Sequence, residues 1–295
     1  MKKLKALIRK IIFAMPGGEA LWVNFARSVG IIKPDFSGWN MITYTFPPWH
    51  NGGGDEIARN FIKVNRDIIN KVICGDFKLS QYDNLKITNA KPTLCEVMWR
   101  HYIVFWSAYY ASKATSCAVK NLVECGVCDG LTISFAMHAV GKEYEFKSFL
   151  YDAWEGMKDE LLLEKEKFSV GDYSYLDISN TKKNLSEFSG NIVFNKGFIP
   201  DSFKISANPS ELVWLHLDLN SAIPTVAALH FFYERIPPGG VILFDDYAWH
   251  GYVPTKLAID EFFSNMKSGV LLPLPTGQAI FFKHQELAPQ NRTGR

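Results

Sequence analysis

The sequence predicts an α/β fold: a mostly parallel sheet of seven strands, covered by helices on both faces and closed by an antiparallel hairpin. Three observations predict it. Short apolar runs alternate with helical patterns from about residue 120 onward, which is how parallel strands joined by helical crossovers read. Several of those runs end in an acid, at Asp152, Asp218 and Asp245-Asp246. The chain then finishes with two strands flanking a tight Pro275-Thr276-Gly277 turn.

The composition agrees with a packed globular chain. Of 295 residues, 47% are hydrophobic and 21% charged, which excludes general disorder. Aromatic residues reach 14%, enough for a core and for rings that line a ligand pocket. The net charge of +2 excludes nucleic acid as the main partner, because duplex binders carry a clear basic excess. No stretch approaches the roughly 18–20 apolar residues of a membrane span. The five cysteines, an odd number in apolar or helical surroundings, point to a reducing cytoplasm rather than a disulfide scaffold.

Residues 1–15, MKKLKALIRKIIFAM, place Leu4, Leu7, Ile8, Ile11, Ile12 and Met15 on one helical stripe, with Lys2, Lys3, Lys5, Arg9 and Lys10 around it. Arg9 and Lys10 interrupt the apolar run that a signal peptide needs. The stripe either packs on the protein's own body or a second subunit, giving a homo-oligomer, or lies on an anionic membrane surface at the cytoplasmic face. Further on, Pro47 to His50 and Asn51 to Gly54 form a loop. Its triple glycine lacks the Lys-Ser/Thr of a phosphate-binding loop, and Asp55-Glu56 then open a helix through about Ile73. Residues 1–95 thus read as an amphipathic helix and a mainly helical cap, and 96–295 as the sheet domain.

In that domain a long aromatic helix is expected over Leu94–Val119. Strands follow at Asn121–Glu124, Phe146–Tyr151, Asn191–Phe194, Leu212–Leu217 and Val241–Phe244. Helices are expected at Leu131–Val140, Thr225–Ile236 and Lys256–Met266, and the hairpin at 270–274 and 278–283.

The first strand runs into Glu124-Cys125-Gly126-Val127-Cys128-Asp129-Gly130. Gly126 allows a ligand to approach the backbone, and Gly130 lets the chain enter the helix closely packed. A nicotinamide enzyme would carry G-x-G-x-x-G here. Glu124 instead would repel a pyrophosphate and attract the ammonium and sulfonium of S-adenosylmethionine. Asp152, 22 residues beyond Gly130, stands where a cofactor ribose would present its two hydroxyls; capping of the following segment is the other reading. Cys125 and Cys128 have no second pair or histidine spacing to complete a zinc site.

Leu215-His216-Leu217-Asp218 and Gly240-Val241-Ile242-Leu243-Phe244-Asp245-Asp246 close consecutive strands, so their acids should meet at the carboxyl edge of the sheet. Three carboxylates together call for protonation or a cation, and hard oxygens favour Mg²⁺, Mn²⁺ or Ca²⁺. The alternative is that Asp246 bonds locally and no metal binds. His216, inside its strand, reads as a core histidine. His250, after the acid pair, has a side chain suited to proton transfer, or is a plain loop residue.

Together, Glu124 to Gly130, Tyr151-Asp152-Ala153-Trp154-Glu155-Gly156, Leu215 to Asp218 and Pro238 to Tyr247 resemble the macrocin O-methyltransferase family over about residues 100–285. The resemblance implies a class I, Rossmann-like methyltransferase that uses S-adenosylmethionine and a divalent ion such as Mg²⁺ to methylate a sugar hydroxyl in a small-molecule or glycan acceptor. It implies that Asp218, Asp245 and Asp246 hold the metal and that Trp154, Gly197 and Phe198 border the cofactor; the catalytic candidates are Asp218 and, from its position after the acid pair, His250. One departure stands out. The family has a second acid two residues after the first, as general base, and this chain has Asn220, which cannot take a proton. A metal-independent methyltransferase, or a cofactor- or glycan-binding protein that kept the fold, is therefore the competing expectation.

Overall fold

The computed structural model describes residues 56–84, 97–205 and 207–285. The amphipathic stripe of residues 1–15 and the loop with Trp49, His50 and the triple glycine lie outside the described residues. Seven strands form one sheet: β1 (Lys120–Cys125), β2 (Phe146–Asp152), β3 (Ile192–Lys196), β4 (Trp214–Leu217), β5 (Val241–Phe244), β6 (Gly269–Pro273) and β7 (Ala279–Lys283). Their spatial order is β3-β2-β1-β4-β5-β7-β6. The first five are parallel, and β7 runs antiparallel to both β5 and β6. The expected parallel sheet with a terminal hairpin is what forms. Strand order reverses between β1 and β4, and in open α/β sheets a ligand crevice opens at the carboxyl end of such a switch point.

The longer helices are α1 (Glu56–Cys74), α2 (Met98–Ala114), α3 (Leu131–Val140), α4 (Ala222–Phe232) and α5 (Val253–Phe263), with shorter helices and turns between them. Helix α2 stops five residues before the expected end, because Thr115 turns extended and its hydroxyl donates back to the Ala111 carbonyl at 2.7 Å. Helices α4 and α5 each begin three residues earlier than expected. Pro224 and Pro254 sit in their first turns, where a missing N–H costs no helical bond.

Strand periodicity divides the core into two layers. Leu122, Trp214, Val241 and Leu243 face α2 and α3, with Val104, Phe105, Ala108, Ile133 and Met137 against them. Val123, Cys125, Leu215, Leu217, Ile242 and Phe244 face α4 and α5, against Ala228, Leu229, Phe232 and Ile259. Helix α1 joins the first layer through buried Phe61, Val64 and Ile68. Each such side chain contributes roughly 1.5–3 kcal/mol, which fixes α1 to the sheet domain. The same alternation puts Glu124, His216 and Asp245 on the α2 face, below the first turn of that helix. None of the described helices is long and apolar enough to cross a membrane.

Candidate active site

A cleft of about 380 Å³ opens at the carboxyl edge of the sheet. Gly126, Asp152, Gly197 and Phe198 line one end, and Arg100, Asp218, Asn220 and Asp246 line the other. Gly126 brings the two ends together. Its φ of +87° belongs to glycine, and a Cβ there would stand 1.9 Å from the Asp218 carbonyl oxygen. The turn is pinned by Gly126 N–H to the Tyr151 carbonyl at 2.8 Å and Asp218 N–H to the Cys125 carbonyl at 2.9 Å.

Asp152 braces this turn. Its Oδ2 accepts the Val127 and Cys128 N–H groups at 2.7 and 2.9 Å, and its Oδ1 accepts the Trp154 N–H at 2.6 Å. Burial pushes its carboxyl above the ordinary value, and the three donors pull the other way. At the same end, the Lys158 ammonium lies 4.2 Å from the Phe198 ring centroid.

The acidic end is organised around an arginine. From the first turn of α2, Arg100 Nε donates to Asp245 Oδ1 at 2.8 Å, and Nη2 donates to Asp245 Oδ2 and, at 3.1 Å, to Asp218 Oδ2. Gln278 Nε2 adds a bond to Asp245 Oδ1 at 3.0 Å. Beneath them, His216 Nδ1 lies 2.8 Å from Glu124 Oε1, and its Nε2 lies 3.6 Å from Asp245 Oδ1.

Charges follow from these contacts. Burial opposes the Asp245 charge, yet Arg100 and His216 hold its carboxyl below the ordinary carboxylate range. Burial and the Asp245 charge push Asp218 up to about 6. Burial and both neighbouring acids push Asp246 well above the ordinary value, and its Oδ2 is buried with no hydrogen-bond partner among the described residues. Burial disfavours a charged His216, but its contacts with Asp245 and Glu124 outweigh it and raise the imidazole to about 10. Burial takes Glu124 to about 7 despite the histidine.

The family model of the macrocin-O-methyltransferases (TylF) matches residues 114–274, more than half of the chain, including the acids that end β4 and β5 but not Arg100 or Gln278. The chain belongs to the macrocin-O-methyltransferase (TylF) family. It is an S-adenosylmethionine-dependent O-methyltransferase. Among solved structures it is similar to the O-methyltransferase NovP, at 17% identity and a TM-score of 0.53, covering 64% of this chain and 81% of that one. It is also similar to CalS11, a calicheamicin methyltransferase, at 14% identity and a TM-score of 0.52, covering 81% of this chain and 98% of that one. At such identities the likeness is one of fold. No curated protein matches the chain by sequence.

The macrocin-O-methyltransferase cleft gathers six of the residues singled out by sequence: Gly126, Asp152, Gly197, Phe198, Asp218 and Asp246. Others are placed elsewhere. Glu124 is fully buried and does not line the cleft, because strand alternation turns it toward His216 in the sheet's interior. Gly130 packs against Leu185, which a Cβ would meet at 2.8 Å. Trp154 is buried, with its indole N–H shared between the Cys128 carbonyl and Thr181 Oγ1. Asp245 is buried under Arg100. His250 begins the short turn His250–Tyr252, and its side chain lies outside the described residues.

Sequence reasoning missed Arg100. Its one signal was a cation in the first turn of a largely aromatic and apolar helix, much of which has to be buried. The arginine bears directly on the metal expected in this family. Hard carboxylate oxygens suit a divalent ion, and His216, Asp218 and Asp245 offer atoms within 4.8 Å of one another. The residues present do not fit one. Arg100 already bonds both of the acids that such an ion would need. A divalent ion about 4 Å from the guanidinium would be repelled by roughly 8 kcal/mol at an effective dielectric near 20. Asp218, Asp245 and Asp246 stand together at the sheet edge, with a guanidinium bound where the resemblance implied Mg²⁺.

Proposed function

We propose that this methyltransferase acts on a hydroxyl of a sugar or glycosylated acceptor, with Asp218 taking the hydroxyl proton. One observation carries the reading. The Asp218 carboxylate, 20% exposed, shares a continuous cleft with the Gly126 turn and Asp152. A carboxyl raised to about 6 is ionised at neutral pH and still basic enough to accept a proton as the oxygen is methylated. Asn220, whose amide nitrogen is 3.5 Å from Asp218 Oδ1, orients this carboxylate and takes no proton.

The cofactor end has the chemistry for S-adenosylmethionine. Asp152 Oδ1 accepts one N–H bond and keeps a lone pair for a ribose hydroxyl. Gly126 and Gly197 leave the backbone open, and Phe198 offers a ring face to the adenine. The acceptor end suits a polyhydroxylated ring. Tyr173, Trp249 and Tyr252 supply aromatic faces, and Asp246 supplies an acceptor for hydroxyls. S-adenosylmethionine supplies the methyl: the O–CH₃ bond forms as S–CH₃ breaks, leaving a methyl ether and S-adenosylhomocysteine. Asp218 retains the proton, and the cleft holds the reacting oxygen in line.

The test is methyl transfer from labelled S-adenosylmethionine to a panel of nucleotide sugars and glycosides. Asp218→Asn should lower kcat by about 10²–10⁴-fold with S-adenosylhomocysteine affinity unchanged. Wild-type kcat/KM should rise with pH to a plateau above about 6. Wild-type turnover by a folded Asp218→Asn protein would overturn the reading.

A further inference from the structure

We infer that Arg100 is the fixed cation of this active site, and that methyl transfer here proceeds without a divalent ion. The inference rests on the reading of Asp218 as proton acceptor. Arg100 joins the ends of β4 and β5, meeting Asp245 through two nitrogens and Asp218 through one. Such two-point contact fixes direction as well as charge, which an ammonium cannot do.

The guanidinium is also held from behind. The next residue, His101, is buried and stacked on Phe135, and Val104 and Phe105 anchor the following turn of α2 in the core. Arg100 therefore starts from a rigid element. A third of its side chain stays exposed, it lines the cleft, and Nη1 takes part in none of the three bonds. Among the described residues that nitrogen has no hydrogen-bond partner, and it can donate to the acceptor oxygen, or its neighbour, as the proton leaves for Asp218.

The pairing of Asp245 points the same way. A divalent ion would need carboxylate oxygens not already held by another cation. Here Asp245 is compensated by Arg100 and faces His216, which in turn is paired with Glu124, while Asn220 contributes an amide and no further negative charge.

The experiment uses Mn²⁺ as probe, titrated by paramagnetic resonance into the purified full-length chain, with S-adenosylhomocysteine binding measured calorimetrically on the same sample. Wild type should bind no Mn²⁺ more tightly than about 1 mM. Its melting temperature should be indifferent to Mn²⁺, and its turnover to a strong chelator. Arg100→Gln, which strips the cation and leaves the acids, should gain Mn²⁺ affinity at least tenfold and be stabilised by the ion. Arg100→Lys, which keeps a point charge, should not. Tight Mn²⁺ binding by wild type, or loss of its turnover on chelation, overturns the inference whether or not either variant folds. Absence of S-adenosylhomocysteine binding would instead count against the cofactor end of the cleft.

Discussion

Asp152 offers the sharpest test, because one carboxylate serves the scaffold and the proposed ribose site together. In Asp152→Ala the N–H groups of Val127, Cys128 and Trp154 lose acceptors at 2.7, 2.9 and 2.6 Å. Val127 and Trp154 are 3% exposed, so two of the three donors lie in well-buried residues. A hydrogen bond to a charged group is worth about 1.5–3 kcal/mol, and a stranded buried donor costs about 1–3. The vacated space borders the cleft and admits water, which recovers part of this. A loss of about 2–4 kcal/mol is expected. The carboxylate's own burial, which raises its pKa, keeps the figure from being larger. Asp152→Asn should lose less, because its amide oxygen keeps an acceptor for one side of the turn. Urea unfolding followed by tryptophan fluorescence gives the stability, and calorimetry gives S-adenosylhomocysteine affinity, which should fall at least tenfold, about 1.4 kcal/mol. A folded Asp152→Ala protein less than about 1 kcal/mol destabilised would refute the brace. An unchanged dissociation constant would refute the ribose contact.

Two further perturbations follow from the same geometry. Gly126→Ala sets a Cβ against the Asp218 carbonyl at a left-handed φ, and should cost about 2–4 kcal/mol and weaken cofactor binding; a denaturation midpoint like wild type's would contradict the close approach. The His216 proton is held to about 10 in the folded chain, against 6.5 ordinarily. Its contribution is therefore complete below pH 6.5 and fades as pH rises toward 10. Glu124, raised from 4.5 to about 7, adds to the same downward slope at lower pH. The melting temperature of wild type should fall more steeply between pH 6.5 and 10 than that of His216→Gln, and parallel curves would exclude a charged His216.

The family of the chain and its sheet were legible before any coordinates, for local reasons. Apolar runs of four to seven residues have one stable use between helices, so the positions of β1, β2, β4 and β5 follow from composition and turn signals. The motif Glu124 to Gly130 is contiguous, and so are the acids after β4 and β5. Parallel topology then delivers Asp218, Asp245 and Asp246 to one edge. Helix ends shifted by several residues, at Ala114, Ala222 and Val253, because proline tolerance and a threonine back-bond act below the resolution of an apolar pattern.

What each strand-end side chain does was decided only by tertiary structure. Sequence placed Glu124 at the end of β1, but the pleat and the β1–β4 register set it opposite His216 and away from the cleft. It placed Asp152 at the end of β2, but two of the three backbone N–H groups that converge on it, those of Val127 and Cys128, come from the neighbouring turn. Arg100 stands 118 residues from Asp218 and 145 from Asp245, separations at which no local pattern carries information. Short-range order is encoded by propensity and periodicity, which a single sequence displays. The partner of a buried charge is chosen by packing, through desolvation that only a nearby opposite charge can offset, and that choice is made when α2 settles across the carboxyl ends of β4 and β5.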